Sequence, residues 1–285
     1  MGHSGTTLFL DGAARYKART LSDPRAPQAG AAASLDYDGI ERNFSMAVTL
    51  SVVVPVKDEA GNVGPLAREI AEAVRDQGES EIIFVDDGSG DGTGTVLTAL
   101  KAALPSLRVI SHAGNLGQSR AIRTGVRAAR GEIIVTLDGD GQNDPADIPK
   151  LLEALRRGEA TLGLVSGVRA HRRDSFSRRL ASRLGNAIRR GLLKDGAVDS
   201  GCGLKAFRRE AFLALPYFDH LHRFLITMMI REGYQVQFVD VNHRPRRYGR
   251  SKYTNIRRML VGIDDLMGVR WLQRRMRRKT EAKEL

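Results

Sequence analysis

The chain of 285 residues has a single cysteine, Cys202. One thiol excludes an internal disulfide. Without a companion Cys/His cluster there is also no ground for a zinc site, so a reducing compartment is expected. Long apolar runs are missing too. The longest, such as Ser51 to Val56, are strand-length, far short of the roughly 18 to 20 residues of a spanning helix. No basic stretch followed by an apolar core opens the chain, which argues against a secretory signal. Met1-Gly2-His3-Ser4-Gly5-Thr6 meets only the loose myristoylation pattern, which arises often by chance. Aromatic residues make up 6%, and they are not interleaved with basic ones as a nucleic-acid stacking surface requires. Positive charge, by contrast, is abundant, with 45 Lys and Arg against 33 Asp and Glu for a net +12. Such a balance implies an acidic partner: nucleic acid, an anionic membrane surface or a phosphorylated substrate. With 42% apolar residues, the chain has room for one large α/β domain or two small ones.

Residues 1–45 are rich in Ala, Gly, Ser, Asp and Arg, contain Pro24 and Pro27, and show no periodicity. They read as a flexible leader, with the fold starting at Met46. From Thr49 strand and helix patterns alternate. Strands are expected at Leu50–Val56, Glu81–Val85, Leu107–Ser111 and Glu132–Leu137, and helices at Leu66–Arg75, Thr93–Ala103 and Ser119–Arg130. This alternation predicts an α/β fold, a mostly parallel sheet with helices on both faces, whose ligands bind at the carboxyl ends of the strands. Three of the four strands end there in acidic sequence: Lys57-Asp58-Glu59, Asp86-Asp87-Gly88-Ser89 and Asp138-Gly139-Asp140.

The stretch Asp138-Gly139-Asp140-Gly141-Gln142 sets two carboxylates and an amide at alternate positions in a glycine-rich turn, hard oxygen donors suited to Mg²⁺ or Mn²⁺. A plain surface turn is the other reading. A calcium loop fails, because its glycine position holds Asn143 and its bidentate-glutamate position Pro149. Gly88, Gly90, Gly92 and Gly94 do not form the dinucleotide fingerprint, and no Gly-Lys-Ser/Thr completes a P-loop. Asp86 and Asp87 could accept hydrogen bonds from a nucleobase edge or ribose hydroxyls. A helix cap accounts for Asp91 and Thr93 but not for that pair.

In order, Val54-Pro55-Val56-Lys57-Asp58-Glu59, Val85-Asp86-Asp87-Gly88-Ser89-Gly90-Asp91, Asn115-Leu116-Gly117, Asp138 to Pro145, Asp199 to Arg208 and Arg246-Arg247-Tyr248-Gly249-Arg250-Ser251-Lys252-Tyr253 resemble glycosyltransferase family two. Within it they are most similar to the dolichyl/polyprenyl-phosphate sugar transferases, the dolichol-phosphate mannosyltransferase type, over about Leu50 to Tyr253. One departure is Lys57-Asp58, where the family usually has Tyr-Asn. The resemblance implies a GT-A-like nucleotide-diphosphosugar transferase fold with its catalytic domain at 46–242 and a basic acceptor-side segment with an interfacial helix at 243–285. It implies a nucleotide pocket along Pro55, Val56, Glu59, Asp86, Asp87, Asp138 and Gly139, and a metal held by Asp138, Asp140 and Gln142. Arg169, Arg246, Arg247 and Lys252 would clamp a lipid phosphate. The implied reaction is inverting sugar transfer from a nucleotide-diphosphosugar to a polyprenyl phosphate. An alternative is a hydroxyl acceptor, polysaccharide or protein, with Asp199 as general base. A non-enzymatic nucleic-acid binder is a third and distant reading.

Two stretches carry helical stripes flanked by basic residues: Phe176, Leu180, Leu184, Ile188 and Leu192, then Ile256, Met259, Leu260, Ile263, Leu266, Met267 and Trp271. Amphipathic helices of this kind lie in a membrane interface, or pack on the core or on a second protomer. The expected location is cytoplasmic, peripheral on the inner face of a membrane. Spanning helices follow the catalytic domain in many family members, and none is read here. The lipid tail is then met by interfacial helices, a membrane protein partner or a homo-oligomer.

Overall fold

The computed structural model describes residues 48–169, 189, 191–246 and 255–275, with backbone alone at 255–261. The expected leader, Arg247, Lys252 and most of the first helical stripe lie outside the described residues. In chain order the elements are β1 (Leu50–Val56), α1 (Ala60–Ala73), β2 (Ser80–Asp86), α2 (Thr93–Leu100), β3 (Leu107–Ser111), α3 (Gln118–Ala128) and β4 (Ile133–Thr136). A 3₁₀ turn (Pro145–Asp147), α4 (Ile148–Arg157), β5 (Leu162–Arg169), β6 (Lys205–Arg208), α5 (Arg209–Leu213), α6 (Leu221–Arg231), β7 (Gln235–Val241) and α7 (Asn255–Arg274) follow.

Seven strands form one sheet in the order β3-β2-β1-β4-β6-β5-β7. β1 is buried along its whole length, as its four valines require in a sheet covered on both faces. β1 to β4 pair in parallel, β5 pairs in parallel with β7, and β6 runs antiparallel to both β4 and β5. Alternate side chains of β1 feed two cores. Leu50, Val52, Val54 and Val56 pack with α1, α2 and α4, while Val53 packs with α3, α5, α6 and α7. The expected mostly parallel, doubly covered sheet is therefore present.

Helix α1 starts at Ala60, six residues before the expected start. Pro65 suggests a boundary in sequence, but it is accommodated inside the helix. The amides of Asn62 and Val63 bond the Glu59 carbonyl, and burial of Val63, Leu66, Ala67 and Ile70 offsets the donor that proline lacks.

The C-terminal stripe is not the single amphipathic face expected. In α7, Val269 is buried with Leu266 and Leu272 packed against the core, whereas Ile263, Met267 and Trp271 are more than half exposed. Apolar residues on two faces of one helix cancel as a directional pattern. The first stretch also departs from a membrane-facing reading at Arg189. Its side chain is largely buried, and Nη2 lies 2.5 Å from Oδ2 of buried Asp195.

Candidate functional site

Strand order reverses at β1 and β4: the chain leaves β1 toward β2 and β3, then returns to place β4 on the other side. At such a switch point the loops beyond the strands diverge and open a crevice. The three acidic strand ends meet at this edge. Asp138, just past β4, is partly buried, accepts from Gln118 Nε2 at 2.8 Å, and its own amide donates to Asn143 Oδ1 at 3.0 Å. Burial, and after it the charge of Asp140, raises its pKa. A carboxylate pressed toward its neutral form with a second carboxylate nearby makes an oxygen-rich site of the kind that suits a divalent cation. Asp140 Oδ1 accepts from the Gln142 amide at 3.1 Å, which closes the turn and fixes the two residues to each other. Among the described residues no group of three or more His, Cys, Asp or Glu gathers as a ligand cluster. Asp138 and Asp140 offer two hard oxygen donors, and Gln142 lies on the same turn.

Close backbone approach makes room for Asp138. A Cβ on Gly203 would lie 2.3 Å from its Oδ2, and a Cβ on Gly139 would lie 2.4 Å from Val56 Cγ1. Val56 itself packs in the core and contributes its carbonyl, which accepts from Asp87 at 2.9 Å. Pro55 lines a cavity of about 390 Å³ beside Asp138.

On the β1–β2 side, Lys57 Nζ donates to the Gly88 carbonyl at 2.8 Å. Asp58, at φ 53°, accepts from Gly90 at 2.8 Å and its amide donates to Ser89 Oγ. The Lys-Asp pair that departs from the family pattern thus ties two loops together. Asp86 accepts from the Ser89 amide at 3.0 Å. Asp87 holds the loop after β3, with Leu116 N and Gly117 N donating at 2.9 and 2.8 Å and His112 Nδ1 at 2.8 Å. Bonds to a charged acceptor stabilise by about 1.5–3 kcal/mol each, so Asp87 organises residues 112–117 as well as lying at the strand end.

On the opposite side, Arg169 at the end of β5 grips Asp199 with two parallel bonds, Nε to Oδ2 and Nη2 to Oδ1, both 2.8 Å. Burial by itself would lower the arginine pKa. The Asp199 bonds and charge more than reverse this, and the pKa is raised. Lys205, opposite Thr136 in the β4–β6 register, is buried and donates to the Cys202 carbonyl. Desolvation lowers its pKa, opposed by the charges of Cys202, Asp138 and Asp199. At the rim of the cavity Ser119 Oγ and His222 Nδ1 are 2.7 Å apart, joining α3 to α6.

The basic segment crosses the acidic edge. His243 forms a bridge with Asn143, and the Arg244 amide donates to the Gln142 carbonyl at 2.9 Å. Arg244 pairs with Glu69 and Asp144. Arg246 pairs with Glu59, whose other oxygen accepts from Asn62 Nδ2 at 2.6 Å. Arg246, expected on a lipid phosphate, therefore meets a carboxylate expected to line the nucleotide pocket. Arg169 and Asp199, given separate roles in sequence, form one ion pair.

Residues missed in sequence include Gln118, Gly203 and Lys205. Gln118 directly follows Asn115-Leu116-Gly117. Gly203 and Lys205 sit inside the quoted Asp199–Arg208 segment, where nothing in residue type alone marks proximity to Asp138.

Residues 51–215 match glycosyl transferase family 2. The chain is 35% identical over 232 residues to a dodecaprenyl-phosphate galacturonate synthase of Rhizobium johnstonii, covering 79% of this chain and 67% of that protein. It is 36% identical over 208 residues to an undecaprenyl-phosphate 4-deoxy-4-formamido-L-arabinose transferase of Pectobacterium carotovorum, covering 72% and 62%. The chain thus spans about two thirds or less of the length of these relatives. Among solved structures, glucosyl-3-phosphoglycerate synthase of Mycobacterium tuberculosis with Mn²⁺, UDP-glucose and phosphoglyceric acid superposes with a TM-score of 0.60 at 21% identity, covering 81% of this chain and 80% of that one. A mannosyltransferase of Pyrobaculum calidifontis with GDP-mannose and Mn²⁺ gives 0.56 at 23%, covering 73% and 59%. At those identities the likeness is one of fold. The family match covers more than half of the chain and falls on the strands and loops that build the acidic edge, and the chain belongs to glycosyl transferase family 2.

Proposed function

We propose that this chain transfers a sugar, with inversion, from a nucleotide-diphosphosugar to a polyprenyl phosphate. The proposal is supported by relatives named for polyprenyl-phosphate transfer and by the acidic switch-point edge. The donor's nucleotide lies along Pro55, Val56, Glu59, Asp86, Asp87 and Gly139, and Asp138, Asp140 and Gln142 hold Mg²⁺ or Mn²⁺. When bound, the cation offsets charge developing on the departing nucleoside diphosphate. Asp138 and Asp140 then act by position, while the buried Lys205 offsets charge on Asp138.

One observation favours a phosphate acceptor over a hydroxyl. Both oxygens of Asp199 are occupied by Arg169, and a carboxylate so engaged is a poor proton acceptor. A phosphate monoester, with a second pKa near 6, needs no base at neutral pH. In this reading Asp199 holds Arg169 at the acceptor side, and Arg246, Arg247 and Lys252 complete the phosphate contacts. Catalysis is then mostly electrostatics and positioning.

The chain works at the inner face of a membrane, as a peripheral protein alone, as a homo-oligomer or with a membrane protein. Among the described residues no helix is long and apolar enough to cross one. The catalytic domain occupies 46–242 and the basic acceptor-side segment 243–285, with residues 1–45 as leader.

A thermal-shift screen of sugar nucleotides with Mn²⁺ tests the donor half. Incubation of the stabilising donor, labelled in its sugar, with polyprenyl phosphate tests the acceptor half. Label entering the organic phase is expected. Stabilisation by no sugar nucleotide, or label appearing only on a hydroxyl acceptor, would overturn the reading.

A further inference from the structure

Helices α3 and α7 cover the same face of the sheet: Ala121, Ile122 and Val126 of α3 share one core cluster with Val269 of α7, with Leu266 and Leu272 packed against it. Their outward sides differ in kind. On α3, Arg120, Arg123 and Arg127 recur at helical spacing over about 10 Å, and Arg120 and Arg127 are exposed. The guanidinium carbons of Arg120 and Arg123 lie 4.4 and 4.7 Å from the centre of the Tyr217 ring, whose hydroxyl donates to Asp219 at 2.9 Å. Among the described residues no ion pair joins these three arginines to a carboxylate. Burial lowers the Arg123 pKa, and the charges of Arg127 and Arg120 lower it further. Tyr217 offsets part of this crowding, and no carboxylate among the described residues neutralises it. On α7, Ile263, Met267 and Trp271 are 52%, 59% and 57% exposed. They recur every four residues, and the Arg275 guanidinium lies 5.7 Å from the Trp271 ring centre.

We propose that the arginine stripe of α3 and the apolar stripe of α7 form one surface by which the chain rests on an anionic bilayer. Neither stripe belongs to the core that its own helix covers, and the stacking of Arg120 and Arg123 on Tyr217 leaves their charge without a carboxylate among the described residues. Together they make the pairing that interfacial binding uses: apolar side chains that enter the headgroup boundary and cations that meet anionic lipid. A duplex or single strand would meet the arginines and gain nothing from exposed Ile263 and Met267, and Tyr217, the aromatic beside the stripe, is already stacked on by guanidinium groups. The surface also borders the site. Gln118, two residues before Arg120, bonds Asp138, and Leu116, 56% exposed, lines the cavity beside it. A bilayer bound here lies where a lipid-borne phosphate enters. This surface deepens the polyprenyl-phosphate reading and rests on it for the purpose of the contact, but not for the contact itself.

Trp271 is the sole tryptophan of the chain, so its fluorescence reports on α7 alone. The full chain is mixed with phosphatidylglycerol–phosphatidylcholine vesicles or with phosphatidylcholine vesicles. Co-sedimentation with the anionic vesicles and a blue shift of Trp271 emission are expected. The R120Q/R123Q/R127Q variant is expected to partition roughly a hundredfold more weakly, about fivefold per charge. I263S/M267S, with Trp271 kept, is expected to lose the blue shift. If the triple variant does not fold, R120Q and R127Q separately, both at exposed positions, are expected to lose about fivefold each.

Equal partition of the folded arginine variants and the parent overturns the proposal. So does an unchanged Trp271 spectrum with anionic vesicles, or arginine-dependent retention on RNA in preference to vesicles. Vesicle binding without any sugar-nucleotide binding defeats the transferase reading and leaves this surface standing. Sugar transfer to lipid phosphate in detergent without vesicle binding does the reverse.

Discussion

Arg246 and Glu59 are 187 residues apart in the chain and form an ion pair at the acidic edge. The pair joins the basic segment after β7 to the residue that opens α1. The Arg246 side chain is about a quarter exposed and that of Glu59 about a tenth. Arg246→Met therefore takes a paired cation away from a mostly buried carboxylate. A stability loss of about 1–2 kcal/mol is expected, at the low end for such a break because water still reaches the arginine. Urea unfolding checks it. Glu59→Gln/Arg246→Met is expected to lose less than Arg246→Met alone.

Gly203→Ala tests the close approach to Asp138. A methyl group there overlaps the carboxylate, so Asp138 must turn away while the surrounding strands keep their core. Turnover is expected to fall about a hundredfold, the scale of an ångström-sized misplacement, with a thermal midpoint within a few degrees of the parent. Full activity in this variant would remove Asp138 from the donor site.

Asp140→Ala addresses the cation. Turnover is expected to fall by at least about a thousandfold, as loss of several kcal/mol of charge stabilisation implies, and added Mn²⁺ or Mg²⁺ is not expected to restore it. In the parent, chelation is expected to abolish turnover and Mn²⁺ to return it. Full turnover of the variant with added metal would contradict the assignment.

The acid limb of stability should trace in part to Glu81. Burial would raise its pKa, but the Arg130 amide, Arg108 and Ser51 donate to it and hold it below the ordinary 4.5. A carboxylate depressed in the folded state contributes stability that is fully present above its unfolded pKa and is lost as pH falls through the folded one. Glu81→Gln is thus expected to lower stability at neutral pH by about 1–3 kcal/mol and to flatten its decline below pH 4.5. Thermal midpoints measured across that range check both effects.

The parallel half of the fold is legible because β1, β2 and β3 are compact, largely apolar runs between turn residues, and β1, β2 and β4 each run into acids. Past Asp138 the patterns weaken. β6 is only Lys205-Ala206-Phe207-Arg208, with a buried lysine where alternation would place an apolar residue, and its pairing depends on β4 and β5 from elsewhere in the chain. Asp138 and Asp140 stand out because they share one turn. The Arg169–Asp199 and Arg246–Glu59 pairs do not, because residue type shows charge and not which opposite charge lies beside it after folding.

The reversed strand has a further consequence. Because β6 runs against β4, its beginning and not its end arrives at the acidic edge, bringing Asp199 to Gly203 there. The donor-side strands and the segment facing them are therefore joined along a seam of four paired positions, Ile133 to Thr136 against Arg208 to Lys205. Residues 199–202 therefore reach the acidic edge from the far side of that seam, anchored by Cys202 in the core and by the Arg169–Asp199 pair rather than by the strands that carry Asp138 and Asp140.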